Sequence, residues 1–295
     1  MPTRARDEVA AVRRRFVVLC TTLRGFANCA ESYQRLHHYL PAPGSVAARE
    51  IEAGGSLATD TLSSAAMVLG GAHDHVIGLE NLLAAQSSVY APHTVARALL
   101  EGAARAWWLL DPALDGRERA CRGLTERLES LHEAAKIERV TMGGTGRATT
   151  ARIHHVADLA RRHGLQVLND ERGRPVAVGA RRLSATVLVA RLLGGRDGDR
   201  VFGEVAFRAW SGATHGMLWS LTASLDPQPD PTGQHELIAH RRMTLDAVEQ
   251  LTAIAAMAFG EAFNREVEVY GWDRREWEAY ARQALVDLRS SAPPP

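Results

Sequence analysis

Cysteine, lysine and long apolar stretches are all scarce in this sequence, and each scarcity argues against a class of protein. Its 295 residues hold three cysteines, Cys20, Cys29 and Cys121, with no Cys-x-x-Cys spacing. An odd number of widely spaced thiols argues against a disulfide scaffold and a cysteine-rich zinc site, and it favours a reducing, cytoplasmic location. No apolar stretch approaches the roughly 20 residues that a membrane span needs, so we expect no membrane partner.

Charge of one sign is not in excess either. The 35 lysines and arginines are balanced by 34 aspartates and glutamates, for a formal net charge of +1. Proteins that coat nucleic acids usually carry a basic excess, so this balance argues against non-specific RNA or DNA binding, apart from a local basic patch. Lys136 is the only lysine, and the preference for arginine indicates a GC-rich bacterial genome.

The amino-terminal segment has some features of an export signal. Arg13-Arg14-Arg15-Phe16 precedes a short apolar run, as in twin-arginine signals. That run ends at Arg24, near the lower length limit for such a signal, and apolar residues then continue at helical spacing. We therefore predict an ordinary helix here.

Apolar residues recur at helical spacing along most of the chain, which predicts an all-α, multi-helix bundle. We expect a single domain over 1–289, with a core from 57 to 224, carboxyl-terminal helices over 235–289 and a disordered tail over 290–295. The predicted helices span 6–39 (one helix or two), 57–85, 92–110, 117–140, 150–163, a segment from 184, 199–224, 235–269 and 273–289. Residues 165–180 are the only β candidate, as a small hairpin or an irregular excursion.

The helix predicted over 92–110 carries the most informative pattern. Its ionisable side chains, His93, Arg97, Glu101 and Arg105, are spaced four residues apart and so form one stripe. Most of the remaining surface is apolar, which is typical of a buried helix. The stripe is either a solvated row of ion pairs or an internal Arg97–Glu101 pair that lines a pocket.

A second group of candidate residues lies on the predicted 199–224 helix. Spacings of three, four and four place the following side chains on one face: Arg208, Ser211, His215 and Trp219. Gly212 and Gly216 would let a ligand or another helix approach closely. His215 has the chemistry of a general base near neutral pH, with Ser211 as a hydroxyl partner. The alternative is a core histidine with structural hydrogen bonds.

Two further groups are weaker candidates. Asp74, within His73-Asp74-His75, shares a helix face with Asn81 and would contribute to a ligand site or to a polar surface. Glu129 and His132 form a Glu-x-x-His pair, which is half of a bundle di-metal site. The sequence has no second such pair, so we predict no cofactor and keep a metal at these two residues as an alternative.

Two stretches, 94–112 and 207–221, resemble a group of helical actinobacterial proteins of unknown function. The shared pattern pairs an Arg-x-x-x-Glu helix, here Arg97 and Glu101, with a Ser-x-x-x-His-Gly helix, here Ser211, His215 and Gly216. The resemblance covers about residues 60–222 and implies an α-helical core.

Such proteins are distantly similar to HEPN domains, which are helical bundles that often dimerise. Some HEPN domains are metal-independent ribonucleases that use an arginine followed by a catalytic histidine. The resemblance implies that Arg208 and His215 would take those roles in a homodimer that cleaves RNA, or that binds RNA as a toxin.

The sequence therefore supports several functional hypotheses. The leading one is a small-molecule pocket with acid–base chemistry. His215, Glu101 and Ser211 would be catalytic, and the ligand would be bound by Arg97, Arg208, Trp108, Trp219 and Asp74. The alternatives are the HEPN-like ribonuclease or RNA-binding toxin, in which RNA is the partner, and a metal enzyme that uses Glu129 and His132. A non-catalytic interaction protein is the fourth interpretation.

Overall fold

The computed structural model describes residues 3–86, 88–141, 147–194, 200–222, 225–229, 237–241 and 243–290. In these ranges most of the chain is helical, which confirms the predicted all-α bundle. The helices are α1 Thr3–Leu36, α2 Val46–Gly54, α3 Ser56–Ala85, α4 Ala91–Leu109, α5 Gly116–Thr141, α6 Arg147–Arg162, α7 Ala185–Gly194, α8 Arg200–Thr214, α9 Leu218–Thr222, α10 Leu245–Tyr270 and α11 Arg274–Ser290. The strands are β1 Val167–Asn169, β2 Pro175–Val178, β3 Leu225–Pro229 and β4 Leu237–Arg241.

Helix α4 lies at the centre of the main core, in contact with α3, α7, α8 and α10. Its inner face alternates small and large apolar residues, among them Leu99, Leu100 and Ala103, all fully buried. Gly102 faces α3, and a Cβ there would lie 3.4 Å from the Ala72 side chain, which is van der Waals contact. Burial of each leucine stabilises the fold by roughly 1.5–3 kcal/mol.

A smaller apolar cluster joins α5, α6 and the hairpin of β1 and β2. Leu128 of α5 and Val156 of α6 are buried in it, next to Val178 of the hairpin. The Thr125 hydroxyl ties the hairpin to α5 by accepting a hydrogen bond from the Val178 N–H at 2.9 Å. The hairpin predicted over 165–180 is therefore confirmed, with antiparallel strands.

The predicted 199–224 helix is wrong as a continuous element. Helix α8 ends at Thr214, and Gly216 adopts a left-handed φ of +64°. The Met217 N–H donates to the Gly212 carbonyl at 2.9 Å, which closes the turn in the manner of a Schellman motif. Helix α9 then folds back, so that a Cβ at Gly212 would lie 2.5 Å from the Trp219 ring.

Helix α10 starts ten residues later than the predicted 235–269 helix. Thr244 caps its amino terminus by accepting a hydrogen bond from the Ala247 N–H at 3.2 Å. Residues 237–241 instead form β4, which pairs with β3 in an antiparallel hairpin, so 165–180 is not the only β segment. Because β3 contains Pro227 and Pro229, which cannot donate ladder hydrogen bonds, the sequence favoured a loop there.

Two smaller differences concern segments outside the long helices. The short helix α2 was not predicted; Ser45 caps it, because its hydroxyl accepts from the Ala48 N–H at 3.1 Å. Ser290, assigned to the disordered tail, is the last residue of α11. The rest of that predicted tail, 291–295, lies outside the described residues.

Candidate functional site

The predicted stripe on α4 is half-buried and faces neighbouring helices. The Arg97 Nε donates to the Ser211 Oγ at 2.9 Å, and its guanidinium group lies 5.2 Å from the centre of the Phe207 ring. Helix α4 therefore packs against α8. Arg97 also forms an ion pair with Glu101 at 3.7 Å, and these side chains are 26% and 29% exposed.

Arg105, the last residue of the stripe, belongs to a row of positively and negatively charged side chains between α4 and α5. Arg105 of α4 forms an ion pair with Glu126 of α5, whose side chain is only 5% exposed. Arg182, which follows the β1–β2 hairpin, donates to Glu126 at 3.2 Å and to Glu129 at 2.5 Å. A buried carboxylate is costly unless it is paired, so the two arginines are what allow Glu126 to lie there.

An open groove of about 700 Å³ runs over this row of charged side chains. Among the described residues that line it, all but Val176 are polar: Glu101, Arg105, Glu126, Glu129, Ser130, His132, Glu133, Val176, Arg181 and Arg182. The volume is in the range of small-molecule sites. Because the lining is charged, the groove suits a hydrophilic molecule better than an apolar one.

Glu129 is the groove carboxylate whose proton affinity departs from the ordinary value. Partial burial raises its pKa, while the Arg182 guanidinium acts in the opposite direction and lowers it less. A carboxyl group with a raised pKa in a groove is a candidate acid or base. It holds its proton at a higher pH than an exposed glutamate does.

His132 lies one turn further along α5, with its Nε2 2.7 Å from the Pro175 carbonyl oxygen. A carbonyl oxygen only accepts hydrogen bonds, so Nε2 carries the proton in this contact. Glu129, the other half of the predicted metal pair, is engaged by Arg182. Within the described ranges, no group of three or more His, Cys, Asp or Glu side chains is arranged to hold a metal ion.

Trp108, predicted to bind a ligand, is instead buried under an arginine at the carboxyl end of α4. The Arg122 guanidinium group lies 5.0 Å from the centre of the Trp108 ring and donates to the Trp108 carbonyl at 2.7 Å. Arg265 contacts Trp107 in the same way, at 3.7 Å from the ring and 2.8 Å from the carbonyl. The two guanidinium groups donate hydrogen bonds to carbonyls in the last turn of α4, and their positive charges interact favourably with the negative end of the helix dipole.

His215, Arg208 and Trp219 lie outside the groove, on the outer surface formed by α8 and α9. His215 is exposed, and its side chain makes no hydrogen bond or ion pair with the residues that the structure describes. Arg208 is 67% exposed and pairs with Glu204 at 2.7 Å. The predicted common face is divided: Ser211 contacts Arg97 and Arg208 is exposed on the same helix, while His215 and Trp219 come after the end of α8 at Thr214.

Asp74 is also separate from the groove. Its side chain is 87% exposed, at the edge of a cavity of about 270 Å³ that adjoins α1 and α3. The neighbouring His73 has its Nε2 3.1 Å from the Ala27 carbonyl of α1, which gives that histidine a packing contact.

Glu126, Arg181 and Arg182 are among the groove residues that the sequence did not single out. Glu126, Glu129 and Glu133 are spaced by three and four residues, so a charged face of α5 was available as a signal. No such signal exists for Arg182, which reaches the groove only through the packing of the hairpin.

Comparisons with protein-family models, with curated proteins and with solved structures find no significant match to this chain. None of the helices in the described part of the chain combines the length and the apolar character that crossing a bilayer requires.

Proposed function

We propose that the groove between α4 and α5 binds a small, charged, hydrophilic molecule and that Glu129 exchanges a proton with it. The observation that carries this proposal is the raised pKa of Glu129 in a polar groove of about 700 Å³. A general acid or base works best when its pKa lies nearer the working pH than that of a free carboxylate.

The remaining charged residues of the groove form two groups: those held in close ion pairs, and those that are free to contact a ligand. Arg105 and Arg182 both pair with Glu126 and form with it a rigid base for the ligand. Glu101 keeps only a loose ion pair with Arg97 at 3.7 Å, and Arg181 makes no ion pair with any described residue. These two side chains are therefore available to a ligand, with Glu101 suited to a cationic group and Arg181 to an anionic one.

This proposal changes the roles that the sequence suggested. Arg97 and Ser211 become positioning residues, because Arg97 is held by Ser211 and in turn orients Glu101. Glu129 takes the acid–base role in place of His215. The three cysteines are free thiols, which supports a cytoplasmic setting for this function.

Native mass spectrometry tests the proposal. The protein is incubated with a small-molecule extract of bacterial cytoplasm and compared with its denatured mass. We expect an adduct of small mass that is retained in His215→Ala and lost in Glu101→Gln and Arg181→Ala. An adduct lost in His215→Ala and retained in the two groove variants would contradict it.

A second candidate function rests on the exposed apolar surface around His215. Phe202, Val205, Met217, Leu218 and Trp219 are all between 45% and 78% exposed there. Several exposed apolar side chains on two adjoining helices, α8 and α9, mark a candidate interface. It favours a homodimer that brings two copies of Arg208 and His215 together, as the HEPN resemblance implies.

RNA cleavage by the purified protein tests this candidate. A HEPN-like ribonuclease requires the activity to disappear in both His215→Ala and Trp219→Asp, the second of which also disrupts the dimer. Cleavage that is unaffected by His215→Ala would contradict it.

A further inference from the structure

A second, smaller crevice of about 290 Å³ adjoins the groove between α5, α6 and the β1–β2 hairpin. Five nitrogen-bearing side chains line it: His132, Lys136, Arg139, His154 and Arg174. Ile153, which is buried, also lines it, and none of the described residues that line it is acidic. In the main groove, by contrast, four of the lining residues are glutamates.

The crevice continues the groove, because His132 and Val176 line both. Helix α5 runs along the two cavities and carries Glu129 in the first and Arg139 in the second. At a rise of about 1.5 Å per residue, these two side chains are attached about 15 Å apart along the helix. The side chains of α5 that line the cavities thus change from negatively to positively charged, over a distance similar to the length of a small elongated molecule.

Two of the cations in the crevice already have acidic partners at its edge. Lys136 is 2.6 Å from Glu133, and Arg174 is 2.6 Å from Asp170. Arg139 donates only to the Ala135 carbonyl, at 3.1 Å, and forms no ion pair with any described residue. His154 is exposed and likewise has no acidic partner in the described ranges.

From this arrangement we infer that the crevice binds a phosphate-type anionic group at one end of the molecule held in the groove. The inference rests on the proposed function, since it assigns a chemical class to that ligand. A phosphoryl group suits the site because it is anionic, with a charge of about −1.5 to −2, and its oxygens accept hydrogen bonds from the Arg139 guanidinium and from an imidazole N–H of His154. The forked guanidinium of Arg139 is also the donor geometry that phosphate oxygens accept best.

Inorganic pyrophosphate is the probe, titrated into the full chain by isothermal calorimetry. The chain offers matched controls: Arg162 and His155 are exposed residues of α6 that do not line the crevice. We expect Arg139→Ala to weaken pyrophosphate binding about tenfold or more, as the loss of a charged hydrogen bond does. Arg162→Ala should stay within about twofold of the wild type by the same reasoning.

The histidines give an independent pair of variants. His154→Ala is expected to weaken pyrophosphate binding, whereas His155→Ala leaves it unchanged. Equal affinities in all four variants, or no binding at millimolar pyrophosphate, would overturn the inference. Arg139→Gln replaces Arg139→Ala if circular dichroism shows that the alanine variant is not folded.

Glu129→Gln separates this inference from the proposed function. Pyrophosphate binding that survives Glu129→Gln and depends on Arg139 supports the crevice even if the groove adduct is never found. Loss of pyrophosphate binding alone, with the groove adduct intact, refutes the crevice and leaves the groove proposal standing. Single-stranded RNA that competes far better than pyrophosphate, in an Arg139-dependent manner, would overturn the small-molecule assignment.

Discussion

The middle and the carboxyl end of α4 both gather arginines, but they use them differently. At the end of the helix, Arg119, Arg122 and Arg265 donate to the carbonyls of Leu109, Trp108 and Trp107. In the middle, Arg97 and Arg105 pair with carboxylates beside an open groove. The arginines at the end of the helix also pair with Glu50 and Asp111, so all their partners belong to the structure, whereas the ion pairs in the middle lie beside a cavity and leave groups available to a ligand.

Arg119→Ala is the variant with the largest expected effect. Arg119 is 1% exposed and binds Glu50 at 2.9 Å as well as the Leu109 and Asp111 carbonyls. Its removal leaves a buried carboxylate and two carbonyls unpaired, which costs about 3–5 kcal/mol of unfolding free energy. Urea denaturation measures the loss, with exposed Arg117→Ala as the control. A loss under 1 kcal/mol would show that the cap at the end of α4 is dispensable.

Glu126→Ala tests the middle of α4 in the same assay. It leaves Arg105 and Arg182 without their shared buried carboxylate, but both arginines are partly exposed and water can reach them. We therefore expect a smaller loss of about 1–3 kcal/mol, below that of Arg119→Ala. A larger loss than for Arg119→Ala would reverse the comparison between the two regions.

Glu266 of α10 is a buried carboxyl group without a cationic partner in the described ranges. It accepts a hydrogen bond from Gln34 at 2.8 Å. Burial raises its pKa to about 7. Because the folded state then binds the proton more tightly than the unfolded state, the contribution of Glu266 to stability is largest below pH 4.5 and is lost as the pH rises towards 7.

Glu266→Gln should remove this pH dependence. The expected gain over the wild type at pH 8 is about 1–3 kcal/mol, with little difference at pH 4. Thermal denaturation at the two pH values measures it, and Glu261→Gln, an exposed site on the same helix, is the control. An equal effect at both pH values would show that Glu266 does not titrate in this way.

Burial also raises the pKa of Glu129, but by less than that of Glu266, because Glu129 is only partly buried. An NMR titration of labelled glutamate carboxyls should place its pKa above the ordinary value of 4.5, and Arg182→Ala should raise it further. A fall in the pKa of Glu129 in Arg182→Ala would contradict the account of the groove.

Arg208→Ala has the smallest expected effect on stability. Arg208 is well exposed and pairs only with Glu204 one turn away, so the loss should stay below about 0.5 kcal/mol. A loss above 1 kcal/mol in urea denaturation would show that the outer surface of α8 is part of the structural core.

The sequence predicted those elements whose ends carry a local signal, such as a glycine that follows a helix. Gly164, with a φ of +66°, follows α6 where the sequence placed the helix end. The spacing of Arg97, Glu101 and Arg105 also located the side of α4 that faces the groove. These features depend on residues one or two turns apart, so the sequence alone carries them.

The features of the fold and the site that were not predicted depend on contacts between segments that are distant in the sequence. Nothing near Trp108 shows that Arg122 and Arg265 cover the end of α4, and nothing near Arg182 shows that the hairpin delivers it to Glu126. The break at Gly216 was missed because a single glycine is tolerated inside a helix, so the sequence does not show that Gly216 adopts a left-handed φ and that Trp219 folds back onto Gly212.

Carboxylate footprinting tests most directly whether the groove is the functional site. The protein is modified with a carbodiimide before and after incubation with the cytoplasmic extract, and each site is quantified by mass spectrometry. The account predicts protection of Glu101 and Glu129, with Glu204 on the outer surface of α8 unchanged. Protection of Glu204 with no change at Glu101 and Glu129 would contradict it and would move the functional site to the surface around His215.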